Sequence, residues 1–134
     1  MNISLVALLV ADYDEAIHYY VDILGFELTE DSPSSTNDGR PKRWVVVTPP
    51  GAETGLLLAK ADGDSQASLI GSQHGGRVGF FLRVDDFDST LQRIRNAGSK
   101  VVGEPRDEPY GQVVVFVDLY GNKWDLLGPR PNPF

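Results

Sequence analysis

A carboxylate on a β-strand is costly to bury unless something uses it, and Asp125, between Trp124 and Leu126, is placed to raise that question. Side chains alternate faces along a strand, so Trp124 and Leu126 share one face and Asp125 takes the other. If that face lines a cleft, two roles are open to Asp125. One is a structural pair with an arginine or a backbone amide, and the other is a ligand-anchoring anion or general base. His74, beside Gly75 and Gly76, can fold over a cleft as an acid or base near neutral pH, or sit at the surface. His18 falls within a helical pattern, offset from its apolar face. Arg43 and Trp44 begin a strand-like segment, Arg77 and Arg83 flank another, and Arg106 with Tyr110 precedes a third. Aromatic walls with few polar anchors describe most small-molecule pockets. Each has an ordinary alternative: Trp44 as core, Arg83 on a solvated strand face, Tyr110 as the anchor of a turn. The chain has no cysteine, which excludes disulfides, thiolate metal sites and a cysteine nucleophile. No phosphate-binding glycine loop, serine-triad signature or zinc signature is present.

The elements that must position these residues follow from an internal repeat. Val10-Ala11-Asp12-Tyr13-Asp14 and Val84-Asp85-Asp86-Phe87-Asp88 are the same strand-to-helix junction, 74 residues apart. Tyr13, Ala16, Ile17, Tyr20 and Leu24 follow the spacing of a buried helix face, and Phe87, Leu91 and Ile94 repeat three of those positions. Asp12 and Asp86 suit N-caps, with Glu15 as a capping-box partner for the first, and Gly25 and Gly98 suit the C-terminal ends. The pattern predicts helices over about 12–24 and 86–97. Strands are predicted over roughly 26–31, 43–48 and 55–59, and over 100–103, 112–118 and 123–127, so each half reads βαβββ. Residues 31–38 have almost nothing to bury and are expected to lack regular structure, and the polar stretch 61–76 is expected to be a linker. One βαβββ sheet would leave an apolar face exposed. The expected organisation is therefore a single α+β domain over 1–134, with module one over about 1–60 and module two over about 77–128.

At 41% hydrophobic residues the chain can build a core, and its longest apolar runs are too short to span a bilayer. No secretory pattern precedes Ile3, so a cytoplasmic protein is expected. Nineteen acidic against twelve basic residues give a net charge of −7, which disfavours nucleic acid and anionic membranes as partners and would attract a cationic ligand.

Val10-Ala11-Asp12-Tyr13-Asp14-Glu15-Ala16, then Tyr20, Leu24-Gly25-Phe26, and near the end the run from Phe116 through Asp118, Gly121, Asn122 and Trp124 to Leu126 resemble the vicinal oxygen chelate superfamily. Its members include glyoxalase I, bleomycin-resistance proteins and extradiol dioxygenases. The resemblance implies two tandem βαβββ modules forming a curved mixed sheet around a cleft, and commonly a homodimer. It also implies metal ligands on the first and last strand of each module. The first-strand positions here are Leu5 and Gly79, neither able to bind a metal. The last-strand position of module two is Asp125, able to ligate a divalent ion, with a counterpart near Gly55 or Leu56 and Glu53 a few residues away. A catalytic metal needs about three protein ligands. The expectation is therefore a small-molecule binding protein without cofactor, its ligand held by Trp44, Tyr110, Trp124, Arg77 and His74. The alternatives are a lyase, isomerase or dioxygenase in which Glu53 or His74 joins Asp125 around a divalent metal, and a ligand-free accessory domain with its cleft filled by Trp44, Phe81 and Trp124.

Overall fold

Both helix starts follow from their caps. The Asp12 side chain accepts the Glu15 N–H at 2.8 Å, and Asp86 accepts the Ser89 N–H at 3.0 Å. In the computed structural model, which describes residues 1–131, each start leads into its own unit, the first spanning Met1–Gly71 and the second beginning at Ser72. The first unit runs β1 (Leu5–Val10), α1 (Tyr13–Ile17) continuing as a π-helical stretch (His18–Ile23), β2 (Glu27–Ser35), β3 (Pro41–Thr48), β4 (Gly55–Lys60) and a short α2 (Gly63–Ala67). The second runs β5 (Val78–Arg83), α3 (Phe87–Asn96), β6 (Val101–Glu108), β7 (Gly111–Val117) and β8 (Lys123–Leu127). The sheets have the same order, β1-β4-β3-β2 and β5-β8-β7-β6, with the first and last strand of each unit parallel. The βαβββ repeat is therefore present in both halves.

Four expectations are corrected. The first helix is α-helical only to Ile17. Its wider π turns let the adjacent Tyr19 and Tyr20 both point inward, their rings 5.2 Å apart edge to face. Residues 31–35 are strand, because β2 zips along β3 from Glu27↔Thr48 to Ser35↔Pro41, and main-chain pairing needs no apolar side chains. As an edge strand, β2 also tolerates Pro33. Strand β6 continues to Glu108 beyond an irregularity between Val102 and Arg106, where Gly103 adopts φ +75°. The expected linker begins with α2, which belongs to the first unit.

In the second unit one face of the sheet meets α3 through Leu82, Leu126, Phe87, Leu91 and Ile94, all buried. The first unit buries Leu8, Val45, Val47 and Leu58 in the same way, with Ala16 and Tyr20 from its helix. The units differ in one respect. Strands β7 and β8 pair at five positions from Val113↔Leu127 to Val117↔Lys123, whereas β3 and β4 pair only at Val46↔Leu57 and Val47↔Leu56. Beyond that joint β3 follows β2 and β4 follows β1, so the first sheet parts into two ribbons.

Candidate functional site

The parted ribbons flank an open pocket of about 520 Å³. Trp44, Leu57 and Ala59 form its apolar wall, and Arg40, Lys42, Lys60, Asp62 and Gln66 bring polar groups to it. Tyr13, at the start of α1, reaches across to β3, where its hydroxyl accepts the Arg43 N–H at 3.3 Å. Arg43 is held from three sides. It donates to both oxygens of Asp31 at 3.1 and 2.7 Å and to Asp14 at 2.9 Å, and its guanidinium lies 5.2 Å from the Tyr13 ring centre. The Arg43 hydrogen bonds hold the Asp31 carboxyl below its ordinary pKa. Arg40 closes the far end, donating through its two terminal nitrogens to both oxygens of Asp62 at 3.0 and 2.9 Å and through Nε to Asp38. The Thr36 hydroxyl and then Arg40 lower the Asp38 pKa, and Arg40 lowers that of Asp62.

Of the residues singled out in the sequence, Trp44 lines this pocket and is half-buried. Arg43 also borders it, but as the tie between α1, β2 and β3. Glu53 is exposed in the turn before β4 and accepts from the Asn2 side chain at 2.9 Å. The pocket residues missed in the sequence are Arg40, Lys42, Lys60, Asp62 and Gln66. The run Arg40-Pro41-Lys42-Arg43-Trp44 was the available signal, a cluster of cations leading into a tryptophan.

The other candidates lie in the second unit, where the alternation expected around Asp125 is observed. Trp124 is 2% exposed, stacked between Phe80 and Phe116 with ring centres at 4.5 and 5.8 Å, and it donates its indole N–H to Asp118 at 3.0 Å. Trp124 is thus a core residue rather than a ligand-facing one. The His74 ring packs edge-on against Phe80 at 4.9 Å, and a Cβ at Gly79 would come within 2.4 Å of it. The imidazole fills the place of a side chain at position 79. The exposed Tyr110 is a turn residue whose carbonyl accepts from Arg83 at 3.0 Å, and the Arg77 Nε donates to the Val78 carbonyl. Arg83 also donates to Gly128 at 2.6 Å, tying the β6–β7 turn to the end of β8.

Asp125 faces away from α3, in register with Phe81 and Val115, and Phe81 is 59% exposed. The carboxylate is half-buried, and no hydrogen bond to it is found among the described residues. Burial pushes its pKa up against the opposing charge of Arg106. The register also corrects its counterpart. Phe81 pairs with Asp125 as Ala7 pairs with Leu57, so the matching residue is Leu57 and not Gly55 or Leu56. The four positions implied for a metal are then Leu5, Leu57, Gly79 and Asp125, a single donor. The His74 ring is taken up by its packing on Phe80 and over Gly79. Among the described residues no three His, Asp or Glu side chains converge to hold an ion. The residues present do not fit a metal centre of this kind.

Residues 2–126 match the Glyoxalase/Bleomycin resistance protein/Dioxygenase superfamily. The chain belongs to that superfamily. An uncharacterized protein of Shewanella frigidimarina (strain NCIMB 400) is 51% identical over 91% of this chain and 89% of its own. Among solved structures, TnmS3, an antibiotic binding protein from Streptomyces sp. CB03234, is 32% identical, covers 96% of both chains and superposes with a TM-score of 0.76. A glyoxalase/bleomycin resistance protein from the same organism is 31% identical, covers 94% of this chain and 99% of its own, and has a TM-score of 0.69. Among the described residues of this superfamily member, no helix is long and apolar enough to cross a membrane.

The raised Asp125 pKa has a measurable consequence. The folded chain keeps this proton to higher pH than the unfolded chain, so stability falls as pH rises from the ordinary carboxylate pKa through the raised one. Above both values the ionised group is a standing cost. Asp125→Asn removes that cost and is expected to raise the melting temperature at pH 7 by about 1–3 °C, a small gain because solvent still screens the group. The difference should vanish near pH 3, where both side chains are neutral. A variant less stable than the wild type at pH 7 would mean that the attraction to Arg106 outweighs burial.

Proposed function

We propose that this superfamily member binds a drug-sized aromatic molecule in the pocket of the first unit, and that it does so without a metal. The observation carrying this reading is the cavity of about 520 Å³ walled by Trp44, Leu57 and Ala59. Its volume falls within the range of about 300–1,000 Å³ usual for such ligands, and an aromatic wall with a few convergent polar groups is their usual setting. The description of TnmS3 as an antibiotic binding protein supports the same reading. The proposal extends to a cytoplasmic homodimer, in which Phe81 is an apolar group that a second copy would cover. Sedimentation of the wild type against Phe81→Ser tests the dimer.

The binding reading is tested by heteronuclear NMR, because Trp44 and Trp124 are the only two indoles in the chain. A panel of aromatic antibiotics is titrated while both indole N–H resonances are followed. At least one compound is expected to shift the Trp44 resonance and to stabilise the fold, by about 2.7 kcal/mol at a hundred times its Kd. The stabilisation should be lost in Trp44→Ala. A panel that moves neither resonance would sink the proposal.

One observation favours a second reading, an enzyme with Asp125 as general base: this carboxylate is half-buried, has a raised pKa and lacks a hydrogen-bond partner among the described residues. In that case the substrate is held against the Asp125 face of the second unit, and Asp125→Asn abolishes its turnover.

A further inference from the structure

The polar groups around the pocket do not balance, and the imbalance says what the occupant must bring. Every carboxylate there already accepts from an arginine. Asp62 gives both oxygens to Arg40, Asp31 gives both to Arg43, Asp14 accepts from Arg43, and Asp38 accepts from Arg40 and Thr36. Each guanidinium turns three of its five N–H groups to those carboxylates. Thr36 is spent, its hydroxyl bonded to Asp38 and accepting the Arg40 N–H at 2.9 Å. Gln66 uses its side-chain oxygen on the Asp62 N–H at 2.8 Å, which leaves the amide NH₂ of Gln66 over.

What remains is made of donors. Lys42 and Lys60 line the pocket, their ammonium groups make no hydrogen bond or ion pair among the described residues, and Lys42 reaches Asp62 only through its field. Apart from Asn37, which carries a donor and an acceptor alike, the side-chain groups left over in the lining are donors: two ammonium groups, one amide NH₂, the Tyr13 hydroxyl proton, the Trp44 indole N–H and the remaining guanidinium N–H groups of Arg40 and Arg43. Beside them stands the wall of Trp44, Leu57 and Ala59. We propose, on the reading that this pocket is the binding site, that its occupant is an anion: a planar aromatic molecule carrying a carboxylate, sulfonate or similar oxyanion, with its ring on Trp44 and its charge on Lys42 and Lys60.

This reverses the expectation drawn from the net charge of −7. Distant surface carboxylates are screened beyond a Debye length of about 8 Å, whereas two ammonium groups lining the cavity act at contact distance. The acidic partners of Arg40 and Arg43 have already given their oxygens to those arginines, so a cationic ligand would find few acceptors.

The test uses three ligands with one ring and three charges: naphthoate, naphthamide and naphthylmethylammonium, each titrated against the intact protein while the Trp44 indole N–H is followed. Naphthoate is expected to bind about tenfold tighter than naphthamide and the ammonium compound weakest, with the preference shrinking as salt is added. Lys42→Gln/Lys60→Gln changes two exposed side chains and should bring the affinity for naphthoate down to that of naphthamide measured on the same variant. Naphthamide or the ammonium compound binding as tightly as naphthoate overturns the anion assignment and leaves the pocket standing. A preference for naphthoate that survives the double substitution overturns the assignment to the two lysines. If none of the three moves the Trp44 resonance, the pocket does not bind aromatic molecules, and the proposed function falls with the inference.

Discussion

Asp118→Ala is expected to lower the melting temperature by about 10–20 °C, a loss on the order of 3–4 kcal/mol. Asp118 is 5% exposed and lies in the turn between β7 and β8. One carboxylate oxygen accepts the backbone N–H groups of Tyr120, Gly121 and Asn122 at 3.0, 3.1 and 3.0 Å. The other accepts the Asn122 side-chain amide at 3.0 Å and the Trp124 indole at 3.0 Å. Removing the acceptor strands buried donors, and an unsatisfied buried donor costs more than a hydrogen bond contributes. The damage is not confined to the turn. Trp124 is the middle ring of the Phe80–Trp124–Phe116 stack, and the turn sets the register that sends Asp125 to the opposite face. Asp118→Asn keeps the shape and one acceptor oxygen, so it should lose roughly half as much. Thermal unfolding followed by circular dichroism measures both variants. A melting temperature within a degree or two of the wild type for Asp118→Ala would show that water replaces the carboxylate without penalty.

The role of Asp118 explains part of what could be read from the sequence and part of what could not. Each copy of the strand-to-helix junction, the capping aspartates and the alternation around Asp125 are local patterns, each fixed by residues within a few positions of one another. They led directly to the two βαβββ units. Registers are not local. Whether β3 stays on β4 beyond Val46 depends on which partner each strand follows, and no periodicity within 41–48 or 55–60 reports it. The pocket arises from that parting, so Lys42, Lys60 and Gln66 stayed hidden while Trp44, an aromatic at a strand start, did not. Trp124 misled for the opposite reason. An aromatic beside a carboxylate suggests a pocket wall, yet its indole is spent on Asp118, six residues back in the chain. The strand 31–35 was missed because its apolar content is low, although an edge strand is held by its main chain.

The joint itself yields the second large effect. Gly55 begins β4, and a Cβ added there would meet Thr48 Oγ1 at 2.7 Å and Val46 Cγ1 at 2.9 Å, closer than such atoms can approach. Val46 is one of the two β3 residues that pair with β4, and Thr48 follows the other. Gly55→Ala is therefore expected to displace the Thr48 and Val46 side chains and with them to push β3 from β4, because β4 cannot retreat freely while it pairs with β1 at six positions from Leu5↔Gly55 to Val10↔Lys60. Overpacking of this kind costs about 1–3 kcal/mol, or roughly 4–12 °C in melting temperature. Two further readouts separate a loosened joint from general destabilisation. Hydrogen exchange at Val46, Val47, Leu56 and Leu57 should accelerate more than at Leu8 or Val10, and the Trp44 indole resonance should move as the ribbons part further. Thr48→Ala removes the nearest obstructing atom, so the double variant should recover part of the loss and fall short of the sum of the two single effects. An unchanged exchange rate at Val46 and Val47 in Gly55→Ala would mean that the glycine is dispensable there and that the two-pair joint does not depend on the close approach of its strands.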